Sequence, residues 1–176
     1  MCSSRRRKSF VSVMLFHRRP RWIVRRIRAM TCYELSGKRP CIDASSFVHE
    51  SAVLIGDVHI GPGCYIGPCA SLRGDFGRIE VGAGSNIQDC CVLHVAHGEF
   101  CRLEINSHIG HGAIVHGAHI GRDAMIGMNA VVMDGVEVGD TAIVGACAFL
   151  AGGATYSARH ARNWSACARR TRAHAE

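Results

Sequence analysis

The sequence predicts an all-β protein coiled as a left-handed parallel β-helix, and three observations predict it. Large aliphatic residues recur every six positions, glycine often follows them, and aromatic residues make up only 6% of the chain. The series runs Ile42, Val48, Leu54, Ile60, Ile66 and Leu72 without exception. It breaks over residues 73–80 and resumes at Val81, Ile87 and Leu93. After a second break around 95–108 it continues from Ile114 through Ile120, Ile126, Val132, Val138, Val144 and Leu150. Three steps of six make one triangular coil, each aliphatic side chain pointing into a narrow prism and stacking on its equivalent in the next coil. Period six offers no 3.6-residue stripe, which excludes an amphipathic helix, and a sandwich strand would alternate at period two.

Residues 1–29 carry ten Arg or Lys and no acid. They read as a basic N-terminal extension, disordered or not native, with Met30 as the natural start because acidic residues return there. Its apolar run, residues 10–16, is too short to cross a membrane. No small-residue cleavage site follows it. Residues 30–40 are a lead-in, and 41–151 form the β-helix domain. Residues 152–176 form a basic tail with no clear apolar stripe.

The formal charge of +7 is an average over unlike parts. Residues 30–154 hold 6 basic and 13 acidic side chains, a net of −7, so the whole-chain charge does not imply nucleic-acid binding. The ten cysteines contain no CxxC pair. Cys64, Cys69, Cys90, Cys91, Cys101 and Cys147 fall inside the repeat and read as small packing residues, reduced in a cytoplasmic protein.

Inside the coil, glycines such as Gly61, Gly67, Gly82, Gly121, Gly127, Gly139 and Gly145 are expected to serve the tight corners. The two phase breaks read as loops leaving a rigid solenoid, where function concentrates.

Three stretches carry chemistry: residues 71–77 (Ser-Leu-Arg-Gly-Asp-Phe-Gly), 86–94 (ending in His94) and 108–117 (containing His111 and His116). His94 and His116 are separated by one coil plus a small insertion and stack on one face. His111 lies five residues before His116, across a corner, so a threefold neighbour presents it more readily than the same chain does. Three imidazoles with an open fourth position make a catalytic type of zinc site. His49, His59, His108 and His119 read as surface or turn residues. Arg73 and Asp75 have a plain reading as a solvated ion pair; the preferred one is an ion pair across a subunit interface.

These stretches, together with residues 51–58 (Ser-Ala-Val-Leu-Ile-Gly-Asp-Val) and 127–135 (Gly-Met-Asn-Ala-Val-Val-Met-Asp-Gly), resemble the γ-class carbonic anhydrase family of trimeric hexapeptide-repeat proteins. The closest branch is the one found in phenylacetate-degradation and carnitine operons. The resemblance implies a homotrimer with Zn2+, or Fe2+ or Co2+, held by His94 and His116 of one subunit and His111 of the next. It implies that Gln88 orients a metal-bound water or hydroxide, with Asn86 beside it. Arg73, Asp75 and Asp89 are then supporting residues around the ligands and the interface. The implied reaction is metal-hydroxide attack on CO2, giving bicarbonate. His97 and Glu99, in the loop after His94, are candidate proton shuttles, although the acidic loop of active family members is not reproduced. The alternatives are hydrolysis of coenzyme A thioesters by the same metal centre and a non-catalytic metal-binding trimer. Acyl transfer follows only from the shared solenoid.

Overall fold

The computed structural model describes residues 31–157, and every described regular element is a β-strand. The basic extension and most of the basic tail lie outside the described residues. Eighteen strands, most only two or three residues long, pair in parallel with the strand one coil away. The coil has three faces. The first carries Thr31–Tyr33, Val92–His94, Ile114–His116, Val131–Val132 and Phe149–Leu150. The second carries Cys41–Ile42, Phe100–Leu103, His119–Ile120, Glu137–Val138 and Thr155–Tyr156. The third carries Phe47–Val48, Tyr65–Ile66, Asn86–Ile87, His108–Ile109, Met125–Ile126 and Ile143–Val144, which form a separate six-stranded sheet. The long strands Val53–Ile60 and Ser71–Val81 turn the corner from the first face to the second without ending, which joins those faces into one twelve-stranded sheet. Pairing extends past the expected limits of 41 and 151: Thr31–Tyr33 adds to Val53–Ile55, and Thr155–Tyr156 adds to Glu137–Val138.

The core is the stacked aliphatic column the period predicts. Leu54, Ile66, Leu72, Ile87, Leu93, Ile120, Ile126 and Val132 are each 0% exposed. One position differs. Ile114 points outward at 38% exposure and Val115 points inward, paired with Leu93 below and Val132 above. The inward series is therefore Leu103, Ile109, Val115 and then Ile120, a five-residue step that a backward count from Ile120 misses by one. In a strand a one-residue shift exchanges the faces, so the error moves a side chain from core to surface.

Two readings of the corners change. Left-handed backbone falls on Cys69, Cys90, Asn106, Asp123, Asn129, Thr141 and Cys147 as well as on glycines, and not on the glycines that follow the aliphatic positions. Those glycines permit close approach between coils instead: a Cβ on Gly121 would lie 2.6 Å from the Asp140 backbone nitrogen. The cysteines also divide. Cys64, Cys91 and Cys101 pack in the core, while Cys69, Cys90 and Cys147 stand exposed at corners. Hexad position separates the two environments: the buried three each stand two residues before an inward aliphatic residue (Ile66, Leu93, Leu103), the exposed three each stand three before (Leu72, Leu93, Leu150).

Asp57 is a nearly buried carboxylate of the scaffold with three side-chain partners. It is 8% exposed and meets His59 Nε2 at 2.8 Å, Arg78 Nε at 3.2 Å and Lys38 Nζ at 3.3 Å. Burial alone would push its carboxyl up, but the hydrogen bonds from His59, Lys38 and Arg78 outweigh that and hold it below its ordinary value. A carboxyl depressed in the folded state contributes stability above its unfolded pKa, and that contribution is lost as pH falls through the folded value. Denaturant midpoints should accordingly drop between about pH 5 and pH 3, and Asp57→Asn should flatten that slope. An unchanged slope in the variant would assign the acid sensitivity elsewhere.

Candidate functional site

The strands Val92–His94 and Ile114–His116 lie side by side on the first face, with His94 opposite His116 in register. Alternation puts Leu93 and Val115 into the core, so both histidines point outward at the corner where the first face meets the second. Their rings meet edge to face, with His94 Nδ1 and His116 Nε2 2.9 Å apart. The opposite nitrogen of each ring meets a carboxylate: Asp75 Oδ1 lies 2.9 Å from His94 Nε2, and Asp134 Oδ1 lies 2.6 Å from His116 Nδ1. The Asp75 carboxyl also receives the Phe76 backbone N–H at 3.0 Å and Arg73 Nη1 at 3.2 Å. Arg73 and Asp75, expected to pair across a subunit interface, thus pair with each other inside one chain.

A carboxylate on the far nitrogen sets the tautomer and orientation of an imidazole and raises its basicity. Two such imidazoles side by side on adjacent strands supply donor atoms that suit a divalent ion of the borderline-soft kind. Among the described residues of a single chain, however, no group of three or more His, Cys, Asp or Glu side chains is arranged to hold a metal ion.

The remaining expected residues sit at the opposite edge of the first face, at its corner with the third. His111 is half exposed there; its Nδ1 lies 3.4 Å from Asp89 Oδ2, and its backbone N–H donates to Gln88 Oε1 at 3.2 Å. Asn86 stands on the third face, paired with Tyr65 and His108. Its side-chain oxygen is buried and accepts no hydrogen bond, an unmet acceptor of the kind a ligand or a second chain satisfies. The expected residues therefore fall into two groups on one chain: His94, His116, Arg73 and Asp75 at one edge, Asn86, Gln88, Asp89 and His111 at the other. Between them runs an outward column of Val53, Ser71, Val92, Ile114, Val131 and Phe149, with Val92, Ile114 and Phe149 37%, 38% and 52% exposed.

His97 and Glu99 lie in the loop that leaves the His94 strand; the loop is tied to Phe76 through the Gly98 N–H and the Phe76 carbonyl, 3.2 Å. Two further residues complete the surroundings of His94 and His116. Asp134 follows His116 by 18 residues, one coil, so the period itself points to it. Phe76 places its ring edge-on to His94 at 5.8 Å between centroids yet remains 56% exposed. An exposed phenyl ring in the first phase break was its only sequence signal.

A family model for the bacterial transferase hexapeptide, six repeats, matches residues 117–152. The carnitine operon protein CaiE of Escherichia coli K12 is 53% identical over 124 residues, covering 70% of this chain and 63% of that protein. CaiE of Salmonella agona is 51% identical over 130 residues, covering 74% and 66% respectively. The chain thus spans just under two thirds of the length of these curated relatives. Two solved structures share the fold. One is a Bacillus cereus protein described provisionally as an acetyltransferase, 33% identical with a TM-score of 0.72, covering 73% of this chain and 74% of that one. The other is a hexapeptide transferase family protein from Anaplasma phagocytophilum, 33% identical with a TM-score of 0.68, covering 72% and 75%.

Proposed function

The chain belongs to the hexapeptide-repeat transferase family, with carnitine operon proteins among its relatives, and from that premise we propose that it is a metal-dependent enzyme that hydrates CO2 reversibly at a site shared between copies of itself. The observation that carries this reading is the His94–His116 pair, its two inner nitrogens 2.9 Å apart and its outer nitrogens engaged by Asp75 and Asp134. A histidine acting as the lone general base of an acyl transfer has no need of a second imidazole against it. His94 and His116 would hold the ion together with His111 of a neighbouring copy. Zinc, or iron(II) or cobalt(II), would supply a Lewis acid that brings the pKa of water to about 7.

The rest falls to the chain's own residues. Asp75 and Asp134 keep the two rings fixed. Gln88 would offer its side-chain oxygen to orient a water, and Asn86, its acceptor unmet within one chain, would face the same space. His97 and Glu99, in the loop that leaves the His94 strand, would carry protons towards solvent. The exposed Val92–Ile114–Phe149 column supports pairing of copies over the first face, because burying it brings one copy's His111 edge towards another's His94 edge. A homotrimer satisfies that geometry three times.

Phe76 favours a second reading. CO2 is too small to cover a half-exposed phenyl ring, whereas the acyl chain of a thioester is large enough, so hydrolysis of coenzyme A thioesters at the same centre is the alternative. Metal content and CO2 hydration measured on one zinc-loaded sample decide between them. About one metal per chain with metal-dependent hydration supports the anhydrase. Metal without hydration but with thioester hydrolysis supports the second reading, and neither activity leaves a non-catalytic metal-binding assembly. Phe76→Ala sharpens the test: hydration should change less than about twofold, while thioester hydrolysis should fall roughly tenfold, the worth of one aromatic contact. Equal losses in both would place Phe76 in support of His94 rather than against a substrate.

A further inference from the structure

Two of the exposed corner cysteines oppose one another on successive coils. Ile66 pairs with Ile87 just before them and Ser71 pairs with Val92 just after, so the register sets Cys69 against Cys90. The Cys90 backbone N–H donates to the Pro68 carbonyl at 2.9 Å, which continues the same alignment through the corner. Both residues occupy left-handed backbone, with φ of 58° and 59°, so their Cα–Cβ bonds leave the corner in the same direction. Adjacent strands stand about 4.8 Å apart, inside the Cα separation of roughly 4.4–6.8 Å that a disulfide spans. Both thiols are free and exposed.

We infer that Cys69 and Cys90 form a dithiol–disulfide modification site that clips two neighbouring coils together. The partner is a low-molecular-weight disulfide of the oxidised-glutathione kind. The Cys69 or Cys90 thiolate attacks one of its sulfurs, forms a mixed disulfide and releases one small thiol. The second cysteine attacks the protein sulfur of that mixed disulfide, closes the Cys69–Cys90 bond and releases the other small thiol. The protein gives up two protons and two electrons, and the small disulfide becomes two thiols.

Among the described residues no other cysteines oppose one another in this way, Cys32 pairing with Leu54 and Cys41 with His59. Cys147 occupies the same corner with φ 58°, but the rungs of Gly112 and Asn129 separate it from Cys90. Cys64, Cys91 and Cys101 are buried; burial pushes the Cys91 thiol up to about 11 and the Cys101 thiol up to about 12, which suppresses the reactive thiolate. The Ser51 hydroxyl accepts the Cys69 backbone N–H at 3.0 Å and sits 3.7 Å from its sulfur, bracing the corner from the coil before. The clip encloses the segment with Arg73 and Asp75, and its far end adjoins Asp89, so oxidation ties residues of both groups to one covalent ring.

The test treats the full-length protein with oxidised glutathione and maps its disulfides by peptide mass spectrometry. The expected product is a single intramolecular bond joining the peptides that contain Cys69 and Cys90. Cys69→Ser should abolish the bond and leave Cys90 carrying glutathione, Cys90→Ser should give the converse, and Cys147→Ser should change nothing. Stable mixed disulfides on both cysteines in the parent protein, a bond to any other cysteine, or no reaction at either would overturn the proposal. None of these outcomes depends on metal, so its failure is distinguishable from failure of the catalytic reading.

Discussion

His116→Ala is expected to remove bound metal completely and to lower CO2 hydration by at least about a thousandfold. The expectation rests on how His116 is held: Nδ1 is engaged by Asp134 at 2.6 Å, which leaves Nε2 directed at His94 Nδ1. Without His116, the chain retains one imidazole at that corner, and one nitrogen with a solvated carboxylate nearby is a poor site for a borderline-soft ion. The fold should survive, because the side chain is partly exposed and Val115, not His116, fills the core. Asp134→Asn supplies the graded control: loss of a carboxylate behind a ligating histidine costs about ten- to a hundredfold in metal affinity. Metal analysis after gel filtration, with circular dichroism on the same fractions, checks both variants. One metal per chain retained in a folded His116→Ala protein would sink the assignment of the site.

Gly56→Ala is expected to be the most damaging single-methyl change to the fold. Gly56 has φ of +73°, where an L side chain costs about 1–3 kcal/mol. A Cβ built there would also lie 2.5 Å from the Gly74 carbonyl oxygen and 3.0 Å from its carbon, both backbone atoms that cannot rotate away. Pairing of Val53–Ile60 with Ser71–Val81 shifts register between Gly56 and Val58, at the corner where these two strands turn from the first face to the second. Moving Gly74 would displace Asp75 from His94 and Asp57 from its cluster of cations. The two effects together should cost at least about 3 kcal/mol in urea denaturation and reduce expression of folded protein. A loss below about 1 kcal/mol would mean that the corner relaxes freely. Gly63→Ala offers a comparison, since its φ is +64° but no atom lies within 4 Å of the added methyl, so it should show the conformational part alone.

Much of this molecule is legible along the chain because a solenoid makes each coil contact only its neighbours. A period of six in Ile, Leu and Val names nearly every inward position, since one rule of alternation applies on every face. The pairing of His94 with His116 is readable for the same reason: residues about one coil apart are adjacent in register. The misplacement of Ile114 for Val115 shows the limit of the rule, as a single shortened step exchanges inside and outside. The same counting tells Cys64 from Cys69: the first stands two residues before inward Ile66 and is buried, the second three before inward Leu72 and is exposed.

The sequence by itself determined the coiled parallel fold, the aliphatic column and the adjacency of His94 and His116, because all three follow from the repeat. Only the tertiary structure decided how those side chains meet. It joined Arg73 to Asp75 within the chain and set the Phe76 ring edge-on to His94. Those outcomes depend on corner geometry and side-chain direction, which vary by a fraction of a coil and leave no mark on a period of six.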